Sequence, residues 1–334
     1  MEKHSMKILI IQTAFIGDVI LATPIIEKLK KKFPNSQIDF LLRKGNEILL
    51  QNNPNVNEIL IWEKKKNKFK NFFKLILQIR KNNYNYAVNV HRFFSSGIFA
   101  IFSKAKFKIG FDKNPLSFLF SKSVKHKIKF GKHEVHRNID LIEEITDFEF
   151  VKPKLYFSQS DLEKISTYKK ENFICIFPSS VWLTKQLPKN KWIELCNKIP
   201  TQFTIYLLGS FNDKNFGDEL ILSSSNKNVV NLCGEFSLLQ SALFMTFAKM
   251  NFVNDSAPLH LASATNSSVV AFFCSTVFEF GFFPLSEKSK LVEVKNLNCK
   301  PCGIHGFKNC PKKHFDCGNK IDIDEAIKFF ETNL

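Results

Sequence analysis

Two doubly wound, Rossmann-like α/β domains facing one another across a cleft are what this sequence predicts. Three observations carry that prediction: the chain length, a strand–helix alternation that runs through twice, and a break between the two runs. At roughly 100–200 residues per domain, 334 residues make two domains, each able to bury its own core. With 44% apolar and 24% charged residues, and only 12 Gly and 12 Pro, disordered, fibrous and low-complexity classes are excluded.

The first series opens with an apolar run, Lys7 to Ile11, then a loop from Thr13. Ala22, Ile25, Ile26, Leu29 and Phe33 follow at helical spacing. Strand-like Ile38 to Leu42 and Glu58 to Ile61, a helix pattern over Phe69 to Arg80 and strand-like Tyr86 to Val90 continue it. Parallel strands need crossovers, so such alternation implies a mostly parallel sheet with helices on both faces. A helix-like stretch from Glu134 to Ile145 leads into Lys152-Pro153-Lys154 and a polar helix pattern from Ser160 to Lys170, which places the junction there and gives domains 1–155 and 156–334.

The second series alternates strand Phe173 to Phe177, helix Lys191 to Ile199, strand Thr204 to Leu208, helix Asp213 to Leu222 and strand Val229 to Leu232. Helix Leu238 to Ala248, strand Asn251 to Val253, helix Ala257 to Ala264 and strand Ser268 to Phe273 complete it. An amphipathic terminal helix (Ile323, Ile327, Phe330) is free to pack back on the first domain.

No run reaches the ~18–20 apolar residues that span a bilayer. The apolar start is interrupted by Gln12, Thr13, Gly17 and Asp18, unlike a secretion signal, so the expected location is cytoplasmic. Lys+Arg exceeds Asp+Glu by 48 − 31 = 17. That excess favours an anionic partner, although abundant Lys, Asn, Ile and Phe is also what an A+T-rich genome encodes.

Ligands of open parallel sheets bind where strand ends lead into helix N-termini, and three such loops stand out. In the first, Asp18 follows Gly17 at a helix start, as an N-cap or as a carboxylate able to take a proton. The second is Asn254-Asp255-Ser256-Ala257-Pro258-Leu259-His260. Here a cap at Asp255 or Ser256, Pro258 in the first turn and the helix dipole make an anion site, with His260 one turn inside. In the third, Pro178 to Pro188, the hydroxyls of Ser179 and Ser180 and the ammonium of Lys185 suit a phosphate, against the plainer reading of a surface lysine.

GDVILATP near the start, the loop ending Lys185-x-Leu-Pro, NDSAPLHLA and CKPCGIHGFKNCPKKHFDC together resemble the ADP-heptose:lipopolysaccharide heptosyltransferases of glycosyltransferase family 9. The resemblance runs from about Lys7 to Ile327, and its cysteine-rich segment is especially like heptosyltransferase II. It implies a GT-B fold with the acceptor held mainly by the first domain and the nucleotide-sugar by the second. By the same resemblance Asp18 matches the catalytic base and Lys185 the donor-phosphate lysine, while Asp255, Ser256, Ala257 and His260 match the D-S/T-G-x-x-H donor motif. Three positions depart from the family pattern: Ala257 and Cys274 stand where Gly is common, and Leu187 where Trp is.

The implied reaction is attack of an acceptor hydroxyl on C1 of ADP-heptose, with inversion. It needs a base on the hydroxyl and charge stabilisation on the departing diphosphate; no cofactor is required, since a helix terminus and a lysine can do the work of a metal. Asp322-Ile323-Asp324 reads as a helix cap rather than a metal site. The implied acceptor is a phosphorylated lipid A-core at the anionic inner-membrane surface, so peripheral association on its inner face is expected. Thr13, Gly17, Arg43, His91 and Arg92 are acceptor-side candidates, with Lys44, Lys104, Lys106, Lys132 and Arg137 adding attraction.

Cys299, Cys302, Cys310 and Cys317 follow the pattern C-x2-C-x7-C-x6-C, a candidate structural zinc site, a reduced cluster or a disulfide pair. Three functions therefore stay open: a heptosyltransferase, a family 9 transferase with another nucleotide-sugar or acceptor, and a zinc-containing nucleic-acid-binding protein. Scattered charges and the lack of an RNA-binding signature speak against the last, and no nucleic-acid partner is expected.

Overall fold

The computed structural model of the chain describes residues 6–128 and 131–334. They divide into two compact units, one running to Ile128 and from Lys132 to Tyr156, the other from Phe157 to Leu334.

The first unit contains β1 (Lys7–Ile11), α1 (Ile16–Lys32), β2 (Gln37–Arg43), β3 (Glu58–Trp62), α2 (Lys68–Lys81), β4 (Tyr86–Asn89), α3 (Phe94–Phe102), β5 (Phe107–Phe111), β6 (Lys122–Val124) and α4 (Glu134–Asp140). Its parallel sheet has the order β3-β2-β1-β4-β5-β6. Ile8 to Ile11 are wholly buried, as a central parallel strand covered on both faces requires. One core cluster gathers Leu9 and Ile11, Leu75, Ile76 and Ile79 of α2, and Phe99 of α3.

Helix α1 carries Pro24 in its interior, which removes the N–H owed to the Ile20 carbonyl. The Thr23 hydroxyl donates to that carbonyl at 2.8 Å, and the Asn138 side chain donates to Leu21 O at 3.0 Å, tying α4 to α1. The helix-like stretch from Glu134 breaks after Asp140, leaving a 3-10 turn at Glu143–Ile145.

The second unit contains α5 (Gln159–Ser166), β7 (Phe173–Phe177), α6 (Lys189–Lys198), β8 (Thr204–Leu207), α7 (Lys214–Ser223), β9 (Val229–Asn231), α8 (Leu238–Met245), β10 (Asn251–Asn254), α9 (Ala257–Thr265), β11 (Val269–Phe273), β12 (Ser289–Glu293), α10 (Asp316–Asn319) and α11 (Ile323–Thr332). Its parallel sheet runs β12-β11-β10-β7-β8-β9. Helix α11 is capped by Asp322, whose carboxylate accepts the Asp324 N–H at 2.9 Å, as the D-x-D reading predicts. It buries Ile323, Ala326, Ile327 and Phe330 in this unit's own core.

Both sheets reverse their direction of growth once. In the first, the chain leaves β1 for β2 and β3 and returns on the other side at β4; in the second it leaves β7 for β8 and β9 and returns at β10. Such switch points are where strand-end loops part and ligands bind in open α/β sheets.

Candidate functional site

The loops after β1 and β4 flank the first switch point, and most of the acceptor-side candidates lie on them. Asp18, in the first turn of α1, accepts the Phe15 N–H at 3.1 Å, so it caps the helix while remaining half-buried. Gly17 has ordinary helical backbone there, not a left-handed φ. Thr13 Oγ1 and His91 Nδ1 are 2.9 Å apart, joining the two loops. Lys64 Nζ donates to Thr13 O at 2.9 Å, and the Arg43 guanidinium lies 4.6 Å over the Phe15 ring.

Burial, reinforced by the Glu134 carboxylate, pushes the Asp18 carboxyl up to about 6 against the pull of the Phe15 N–H and Arg92. Burial together with Lys64, Arg92 and Arg43 pushes the His91 imidazole down to about 3, leaving it neutral at pH 7. Burial, with Arg43 and Lys68, brings Lys64 down to about 8. A carboxylate is thus set among cations, deprotonated at neutral pH yet basic enough to take a proton from a hydroxyl.

Arg92 is braced from behind by His126 and Glu134, which carry no sequence signal of their own, and through them by Arg137. Its Nη1 lies 2.9 Å from His126 Nδ1, His126 Nε2 lies 3.3 Å from Glu134 Oε2, and Arg137 Nε donates to the same oxygen at 2.5 Å. Burial raises the Glu134 carboxyl, but His126, Arg137 and Arg92 outweigh it and hold the group at about 2. Arg137 is therefore a buried structural partner and not a surface attractor, which corrects the expectation for it. Lys132 and Lys44 are likewise paired, with Asp140 at 2.5 Å and Glu63 at 2.9 Å. Only the tertiary fold brings His126 and Glu134 to Arg92, so no local motif marks them.

In the second unit, the loops after β7 and β10 flank the other switch point and, with the first turn of α9, carry the donor-side candidates. Lys185 Nζ is 2.8 Å from Asp255 Oδ2, and the Thr276 hydroxyl donates to that oxygen at 2.6 Å. Asn254 stitches the loops together: its Nδ2 donates to Pro178 O at 3.0 Å and its Oδ1 accepts the Leu187 N–H at 2.8 Å. Ser180 N–H donates to Gln186 Oε1 at 3.0 Å, and the Ser179 carbonyl accepts from Asn254 at 3.4 Å; both serines are half-exposed.

Ser256 is the N-cap of α9 in extended backbone, and its side chain makes no cap bond. Among the described residues its buried hydroxyl has no hydrogen-bond partner. Pro258 removes one of the N–H groups a helix start leaves unpaired, whereas Ala257 keeps its own. His260 is buried one turn in, with its ring 6.3 Å from that of Phe282. A helix N-terminus, an unpartnered hydroxyl and an ammonium group at one sheet edge can together receive an anion.

The departures from the family pattern are absorbed by packing. Leu187 and Cys274 are fully buried in the core with Trp192, whose indole N–H donates to Pro178 O at 3.1 Å. Burial raises the Cys274 thiol far above its ordinary range.

The cysteine-rich segment supports the Lys185 loop. Phe307 N–H donates to Thr184 Oγ1 at 2.7 Å, Thr184 N–H donates to Phe307 O at 3.1 Å and Cys302 N–H to Ser275 O at 3.0 Å. Burial first, then neighbouring thiols, raises Cys302 and Cys317. Cys299 Sγ lies 3.9 Å from His314 Nε2. Among the described residues, however, no group of three or more His, Cys, Asp or Glu is placed to hold a metal. Cys299, Cys302, Cys310 and Cys317 are all free thiols, neighbours that act on one another electrostatically and are not bridged by a disulfide.

Gly306 has φ +74, and a Cβ there would lie 2.9 Å from Lys185 Cγ. Gly306→Ala should cost about 1–3 kcal/mol and displace Lys185, seen as a lower melting temperature and weaker nucleotide binding by calorimetry. Parental values for both would mean that this segment does not hold the lysine in place.

The sequence profile of glycosyltransferase family 9 (heptosyltransferase) matches residues 72–311. Lipopolysaccharide heptosyltransferase 1 of Campylobacter coli is 27% identical over 291 residues, covering 81% of this chain and 84% of that protein. Lipooligosaccharide heptosyltransferase 2 of Campylobacter jejuni subsp. jejuni serotype O:6 (strain 81116 / NCTC 11828) is 25% identical over 329 residues, covering 97% and 98%. In three dimensions the chain is similar to E. coli ADP-heptose lps heptosyltransferase II, with TM-score 0.79, 21% identity and coverage of 98% and 99%, a likeness of fold. Profile, relatives and fold agree over a span that includes Lys185, Asp255 and most of the cysteine-rich segment, and the chain belongs to glycosyltransferase family 9, the heptosyltransferases of lipopolysaccharide core assembly.

Proposed function

We propose that the chain is an inverting transferase that moves heptose from ADP-heptose to a phosphorylated lipid A-core acceptor. In this reading Asp18 is the general base on the acceptor hydroxyl. The pKa of about 6 at a switch point lined by Arg43, Lys64 and Arg92 is the observation that carries it. Arg92, braced by His126, and Arg43 draw the acceptor's phosphates, while Thr13 and neutral His91 shape the hydroxyl side.

Lys185, the Ser256 hydroxyl and the Ala257 N–H hold the departing diphosphate. An ammonium has three donors, so its bond to Asp255 leaves two for phosphate oxygens. His260 and the serines Ser179 and Ser180 line the remaining donor side. As the O–C1 bond forms, the acceptor proton passes to Asp18 and ADP leaves with the bonding pair, which inverts C1. The net charge of +17 supports peripheral residence on an anionic inner-membrane face, and no helix among the described residues is long and apolar enough to cross a membrane.

A thermal-shift series tests the donor assignment. ADP at about 100 times its dissociation constant should stabilise by ~2.7 kcal/mol, a rise on the order of 5 °C, with UDP and GDP giving little. A larger rise with UDP or GDP than with ADP would move the protein to another nucleotide-sugar.

A further inference from the structure

Helix α2 (Lys68–Lys81) presents two apolar faces. One, formed by Leu75, Ile76 and Ile79 with Phe72 beside them, packs into the core of the first unit. An ordinary surface helix would be polar elsewhere. Here Phe69, Phe73 and Leu77 are instead 73%, 62% and 62% exposed. Spaced four apart, they advance only about 40° each around the helix, so they form one outward row. Lys70 and Lys74, four apart, and Lys81, seven further on, follow the edge of that row, since four and seven residues both return to nearly the same side of a helix. The helix sequence, KFKNFFKLILQIRK, has five basic residues and no acidic one. Helix α3, packed against α2, adds the exposed Phe94 and Phe102.

We propose that α2 is a membrane-docking helix that lays Phe69, Phe73 and Leu77 into the interface of an anionic bilayer and sets Lys70, Lys74 and Lys81 on its phosphates. Aromatic and leucine side chains beside a lysine row match the pattern of interfacial helices, whose binding sums apolar burial and attraction to anionic lipid. A protein partner of the same shape would need acidic groups beside an apolar groove; a bilayer of anionic lipid provides both features continuously. The inference builds on the lipid-linked acceptor proposed above, because a base in this same unit must meet a hydroxyl held at a membrane surface.

Co-sedimentation of the full chain with phosphatidylglycerol-containing vesicles, and with phosphatidylcholine vesicles as control, tests it. The parent should bind the anionic vesicles and release as salt rises. The triple variant Phe69→Gln, Phe73→Gln, Leu77→Gln keeps helix propensity and should bind at least about tenfold more weakly. Lys70→Gln, Lys74→Gln, Lys81→Gln should lose affinity similarly and with it the salt dependence. Both variants should keep the parental melting temperature and the parental rate on a deacylated, water-soluble acceptor. The docking surface is overturned if the parent ignores anionic vesicles, if the apolar variant binds them as the parent does, or if its only effect is to dissolve a self-associated form seen by sedimentation velocity. Vesicle binding that follows this pattern in a chain inactive on every acceptor would defeat the transferase reading and leave the docking surface standing.

Discussion

Asp18→Asn should lower transfer by roughly 10²–10⁴-fold, the usual range for removing a general base, while ADP binding stays at its parental value. The substitution isolates the proton-accepting role, because an asparagine oxygen can still accept the Phe15 N–H that Asp18 accepts at 3.1 Å. The pH profile gives a second, independent reading. With the carboxyl at about 6, parental kcat/KM should rise with pH and level off above that value, whereas the residual rate of the variant should lack this limb. Stability moves the other way. The folded chain holds the Asp18 proton more tightly than an unfolded chain with the ordinary value of 3.8, so its contribution is present below about pH 4 and lost as pH rises through 6. Asp18→Asn should therefore melt at or above the parent at pH 7 even as it loses activity. Turnover within a few-fold of the parent would leave Asp18 as a helix cap alone.

Much of this architecture is written in local pattern. Strands such as Phe173–Phe177, and the loop–helix junctions after Ile11 and Val253, are legible because buried parallel strands read as unbroken apolar runs and caps follow them directly. Other elements escape because their signal is not local. Phe94–Phe102 lacks a polar face, Phe107–Phe111 interleaves Lys108 and Gly110, and Lys122–Val124 and Ser289–Glu293 are short edge strands whose lysines read as loop. Pattern extends the helix from Glu134 to Ile145, yet the helix ends at Asp140 and a 3-10 turn follows at Glu143–Ile145.

At the site, the residues at strand ends were legible and those that support them were not. Asp18, Lys185 and Asp255 lie in loops or helix starts whose spacing marks them, but nothing in sequence links Arg92 to His126, 34 positions on, or His126 to Glu134, 8 positions further. The same limit explains Arg137. Counted as charge, it belongs with the surface lysines; folded, it lies 2% exposed against Glu134, because that carboxylate needs a second cation to stay charged in a buried place. The cysteine spacing marks its segment, but not that the segment's backbone, through Cys302 and Phe307, hydrogen-bonds to Ser275 and to Thr184 beside Lys185.

Lys185→Ala should weaken ADP binding by roughly ten- to a hundred-fold, the equivalent of losing one charge-assisted contact of about 1.5–3 kcal/mol. It should also lower the melting temperature, and the two effects have separate causes. Lys185 and Asp255 are a buried pair, with side chains 15% and 5% exposed and 2.8 Å between Nζ and Oδ2. Removing the lysine leaves Asp255 charged in a place where water does not reach it, which costs about 3–5 kcal/mol; the Thr276 hydroxyl, 2.6 Å away, offsets only part of this. Adding Asp255→Asn removes the stranded charge while keeping an oxygen for Thr276 to donate to. The double variant should accordingly recover most of the lost melting temperature and none of the lost nucleotide affinity. If affinity returns along with stability, the ammonium does no more than neutralise Asp255, and the diphosphate is held by the Ser256 end of α9 without it.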